Sequence, residues 1–289
     1  MIDTPLSQSI DHLAQLTQGI PDAALDLPWT WGEYDSDGVR LAFFRTYEEL
    51  RELAVKLRQE RAARGLPPSS AHLILAQYHA AYNDLQAALL GVDAELVNRA
   101  PAENEWPLRK TLSHMVGTEQ SFYVVVKHAL DGHRANNWQP ARATDAEWDT
   151  IAGIDEAAYH ALMDGPFEPL RAYHRSLHAR IVREFEGIAE AELELPSYFW
   201  ETEPLSLRFR LHRFESHMRQ HTIQIDKTLA LLEHAPTEAR RLLRLVYAAL
   251  AEVEGVLIGA GEFGGNAFRV AAEGIEERIG EIREVVGKS

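Results

Sequence analysis

The chain contains no cysteine, so no thiolate nucleophile, disulfide or thiolate metal ligand is available, and any metal must be held by His, Asp, Glu or water. The 13 histidines are therefore the first residues to place. Two pairs, His174/His178 and His217/His221, have the His-x-x-x-His spacing that sets imidazoles one helical turn apart. On an ideal helix Leu207, Leu211, Phe214, Met218, Ile225, Leu229 and Leu232 form a single apolar stripe about 60° wide, with His217 and His221 along its edge and His212 facing away. Two imidazoles so placed can reach one metal ion. The plainer role for a histidine at the edge of an apolar stripe is a hydrogen-bonded, partly buried side chain. His174 and His178 lie near the stripe of Leu170, Leu177 and Ile181, where packing or a polar edge is the expected role.

Two segments carry a family resemblance. ENEWPLRKTLSHMVGTEQ resembles the part of the DinB signature in which a Trp precedes a helix bearing one His, here Trp106 and His114. FESHMRQHTIQIDKTL is similar to the matching C-terminal part, a His pair followed by a Gln-Ile step, here His217, His221, Gln224 and Ile225. Their order and separation also match, and the resemblance covers roughly residues 70–233. It implies an all-α, DinB-like four-helix bundle with additional terminal segments. In such a bundle His114, His217 and His221 converge on a divalent metal, commonly zinc or nickel, with water in open positions, which is the pattern of a catalytic rather than a closed structural centre. Relatives include transferases and isomerases that use a low-molecular-weight thiol, and others described as metal-dependent hydrolases. The implied activity is thus activation of a thiol or a water toward a small-molecule substrate. The contrasting expectation is a non-catalytic, dimeric helical binding or stress-response protein whose histidines hold a structural metal or none.

The residues around this triad are less constrained. Glu119 and Glu215 are candidates for orienting a ligand imidazole or moving protons, with helix-surface salt bridges as their ordinary role. Arg213 and Arg219 are candidates for offsetting an acidic surface beside the site. His114 lies roughly 80° from the centre of the apolar arc of its helix, near Met115 and Phe122, so the triad depends on that side chain facing inward. Tyr123 and Trp106 are expected in the core and at the bundle end. Trp29, Trp31, Trp138, Trp148 and Trp200 fall in loop-like stretches, which they would anchor. There is no P-loop, GxSxG or HExxH motif.

The elements that must position these residues read as helices. A short amphipathic helix opens the chain within 1–19, and a second covers RTYEELRELAVKLRQERAARG. The stretch GLPPSS cannot continue a helix and marks the boundary of a first segment, 1–68. Four long helices follow within 69–234: one ending at Gly91, one starting at Pro107 and running to about 130, a third over roughly 155–188 with Gly165-Pro166 as a point of interruption, and a fourth over about 204–233. Residues 235–289 predict two more helices that extend the bundle or form a dimer surface.

Whole-chain chemistry bounds the partners. With 29 basic and 44 acidic side chains the formal charge is −15, and basic residues are interleaved with acids, so nucleic-acid binding is not expected. No apolar run is long enough for a membrane span and the N-terminus lacks a signal-peptide pattern, which places the expected location in the cytoplasm, with a homodimer as the expected assembly.

Overall fold

The computed structural model describes residues 4–35, 37–135, 139–261 and 263–288. Trp138 and the first three residues of the predicted opening helix lie outside them. The described residues form an all-α protein: α1 (Pro5–Thr17), α2 (Val39–Ala63), α3 (Ser70–Ala88), α4 (Leu108–Arg134), α5 (Asp145–Ala152), α6 (Glu156–Asp164), α7 (Phe167–Phe185), α8 (Leu207–Leu231), α9 (Glu238–Gly255) and α10 (Gly265–Val286). A minimal antiparallel hairpin of β1 (Pro196–Ser197) and β2 (Leu205–Ser206) precedes α8, pairing Pro196 with Ser206 and Ser197 with Leu205.

The helix ends follow local chemistry. The third long helix is divided into α6 and α7 at Pro166, which occupies the N-cap of α7 and has no amide to continue the preceding ladder. The polar stretch before it contains a helix of its own, α5, started by a reciprocal capping box between Thr144 and Glu147. Asp155 caps α6 through Ala158 N, and Ser206 caps α8 through Phe209 N.

The chain divides into two compact units, one made of Met1–Pro67, Asn83–Gly91 and His234–Ser289, the other of Pro68–Tyr82 and Val92–Glu233. In the first, α2 packs along α9 and α1 along α10. Their apolar faces share one core that includes Ile10, Phe43, Leu50, Leu250, Val253 and Ile279. Long-range polar contacts fasten the same helices. Buried Arg61 donates to the carbonyls of Val256 at 2.6 Å and Ile258 at 3.0 Å, and Arg278 reaches Thr46 Oγ1 at 2.8 Å and both Glu49 oxygens. The two terminal segments thus fold on each other.

In the second unit α4 packs along α8, with α5, α6 and α7 also against α4. The buried face of α8 includes Leu207, Leu211, Phe214, His217, Met218, His221, Ile225 and Leu229, the stripe read from periodicity with its histidine edge, and adds Arg210, Thr222 and Thr228. The hairpin is tied to α8 by Arg210. Its guanidinium is fully buried and forks to both Glu201 carboxylate oxygens at 2.7 Å, while Nε donates to Ser197 Oγ.

Candidate metal centre

Packing of α4 along α8 brings the three histidines together. His217 and His221 are buried, whereas His114 is exposed. The ring centroids lie 4.4 Å apart for His217 and His221, 4.9 Å for His114 and His221, and 5.3 Å for His114 and His217. Each imidazole offers one ring nitrogen, and these nitrogens all lie within 4.8 Å of one another. Three nitrogens bound to one ion at about 2.0–2.1 Å would sit near 3.3 Å apart in a tetrahedral arrangement, roughly the separation already reached by the α8 pair. Exposure of His114 and inward convergence of its ring are compatible because the residue sits at the edge of the α4 apolar arc, where one side of the imidazole meets solvent.

One hydrogen bond fixes where the lone pair of His221 lies. His221 Nδ1 lies 2.9 Å from Gln224 Oε1; the amide oxygen can only accept, so Nδ1 carries the proton and the lone pair of the neutral ring is on Nε2. That Nε2 is 3.1 Å from His217 Nε2. Burial, followed by the neighbouring charges of His221, His114 and Arg213, pushes the His217 imidazole down to about 3. Burial and then His221 also lower His114. Imidazoles this close resist joint protonation, which leaves the neutral ligand form available near neutral pH. The chemistry of the donor set therefore fits a divalent transition-metal ion: neutral nitrogen donors, one ring oriented by an amide, and no anionic ligand among the three.

Aromatic side chains bound the site. The Phe122 ring meets His217 edge-on at 6.0 Å, and Trp106 meets His114 edge-on at 5.4 Å. Trp106 thus lies against a member of the triad, beyond its expected place at the bundle end. One turn further along α4, a separate cavity of about 460 Å³ opens among α4, α5 and α6, lined by Gly117, Gln120, Trp148 and Tyr159 with the acidic Asp145, Asp149 and Glu156, and by none of the three histidines. Gly117 permits this arrangement, since a Cβ there would collide with the Tyr159 hydroxyl.

The other candidates lie elsewhere. Glu215 pairs with Arg219 on the helix surface. Glu119 is buried and accepts from the Tyr78 hydroxyl and, through its other oxygen, contacts His174 Nε2 at 2.9 Å. Neither touches a triad ring. His178 is also buried, with His79 Nδ1 2.9 Å from its Nε2 and Tyr82 stacked on it at 3.9 Å. This interior polar cluster of α3, α4 and α7 is a feature that sequence reading missed, although the four-residue steps Tyr78/Tyr82 and His174/His178 were visible signals for it. Tyr123 is core, donating to Glu184 Oε2 at 2.7 Å.

An all-α bundle that gathers three imidazoles from two helices, in a chain free of cysteine, defines a histidine-only candidate for metal binding. Residues 77–225, just over half of the chain, match the DinB superfamily, and the chain belongs to that superfamily. No curated protein and no solved structure matches it. Among the described residues no helix is long and apolar enough to cross a membrane.

Proposed function

We propose that His114, His217 and His221 hold one divalent metal ion, zinc or nickel, and that the protein is a metal-dependent enzyme that activates a thiol or a water toward a small-molecule substrate. The observation that carries this reading is the convergence of three ring nitrogens within 4.8 Å at a point reached from solvent past His114. A divalent ion bound there would lower the pKa of a coordinated water toward neutrality, or hold a thiol or a carbonyl oxygen. Gln224 holds the His221 tautomer, and Phe122 excludes water from the His217 side.

The test is metal content. Wild-type protein reconstituted with zinc or nickel is expected to retain about one equivalent after desalting, and the His217→Ala/His221→Ala double variant to lose it. A wild-type chain that retains none would sink the reading and leave the 3.1 Å contact between His217 and His221 as an ordinary hydrogen bond. The catalytic part is tested with cobalt in place of the native ion. Binding of a low-molecular-weight thiol at an open position is expected to add a thiolate-to-cobalt absorption band, and its absence would remove the thiol-using branch of the reading.

A further inference from the structure

Charge pairing on α8 is incomplete at one position, and that position is beside the triad. The helix carries Arg208, Arg210, Arg213 and Arg219. Arg208 pairs with Glu190 and Glu194, Arg210 with Glu201, and Arg219 with Glu215. Arg213 has no carboxylate partner among the described residues; its one hydrogen bond runs to Ser216 Oγ at 3.3 Å. It is half-buried and precedes His217 by one turn, so the two side chains share an edge of α8. On α4, Lys110 precedes His114 by the same interval. Its ammonium stands 4.8 Å from the centroid of Trp106, the ring that packs on His114, and it too lacks a carboxylate partner among the described residues. Glu105, the acid next to Trp106 in the chain, is taken up by Lys227 at 3.0 Å.

A half-buried guanidinium kept unpaired in a chain of formal charge −15 calls for a counter-ion that arrives from outside. Three neutral imidazoles leave the positive charge of a bound divalent ion uncompensated as well. Building on the proposed metal site, we infer that the centre takes a small molecule bearing an oxyanion group, which the Arg213 guanidinium grips through its planar fork while Lys110 adds charge at the mouth. Arg213 is then a specificity-determining residue.

Benzoate and inorganic phosphate serve as probes, with benzamide as the neutral control, titrated calorimetrically into zinc-loaded and metal-free protein whose zinc content is measured on the same samples. At least one anion is expected to bind the wild type and benzamide is not; which anion binds tells carboxylate from phosphate. Arg213→Gln is expected to retain zinc and to weaken that anion about tenfold or more, Arg213→Lys to recover part of the loss, and Arg219→Gln to match the wild type. The inference is overturned if neither anion binds either form, or if Arg213→Gln binds as tightly as the wild type. Loss of zinc from the wild type with anion binding intact would defeat the metal reading alone. Circular dichroism of each variant separates loss of binding from loss of fold.

Discussion

Single residues decide whether three imidazoles amount to a ligand set. Gln224 is the clearest case, because its amide oxygen fixes which nitrogen of His221 is free. Gln224→Leu keeps the side-chain volume and removes the acceptor, so metal affinity is expected to fall about 10- to 100-fold with helix content unchanged; unaltered affinity in a metal-competition titration would remove Gln224 from the site. His178 makes a different, purely structural point. Burial, then His79 and His174, hold its imidazole well below the ordinary value of 6.5. The unfolded chain gains a proton there near pH 6.5 while the folded chain refuses it, so the contribution to stability is full above that pH and declines as the solution is acidified below it. The slope from one such group is at most about 1.4 kcal/mol per pH unit. Urea midpoints between pH 7.5 and 5 are expected to fall less steeply for His178→Gln than for the wild type, whatever the offset between them.

At the scale of elements, α8 was the most legible part of the chain because its stripe and its histidine edge obey one period over seven turns. His114 was not legible from periodicity. It lies off the apolar centre of α4 and is exposed, so only the family resemblance nominated it. Helix α5 was hidden by polar composition, although its Thr144–Glu147 capping box was written in the residues. The β1–β2 hairpin left no pattern to read, since each strand has two residues and what holds it is the buried Arg210. The Arg210 hydrogen bonds keep the Glu201 carboxyl below the usual carboxylate range. Stability from this pair is therefore present above pH 4.5 and is lost as pH falls through the lowered value. Glu201→Gln would leave a buried guanidinium without its charge partner. Because Glu201 is partly exposed, the expected cost is roughly 2–3 kcal/mol, short of the loss typical of a fully enclosed pair. A chemical-denaturation midpoint equal to wild type at pH 7 would show that the hairpin does not depend on the pair.

At the scale of the whole chain, the segments 1–68 and 235–289 look like separate additions in sequence because the contacts that join them span 195 to 252 residues. Arg61 reaches the Val256 and Ile258 carbonyls, Arg278 reaches Thr46 and Glu49, and Trp29 donates to Glu281 at 2.9 Å. No local pattern announces such pairings; each helix shows an apolar face and leaves its partner unstated. Phe43, Leu50, Leu53 and Leu57 of α2 are buried in the core shared with α9 and α10. Ending the chain at Glu233 would bare that face, an apolar patch of the kind that drives association. The truncated protein is therefore expected to aggregate, with the exposed face binding a hydrophobic dye. Co-expression of residues 234–289 as a separate chain is expected to restore a soluble complex, because the core is built from noncovalent contacts between the two ends. A truncated chain that stays monomeric and dye-negative by light scattering and fluorescence would mean that α1 and α2 close their own core without the C-terminal helices.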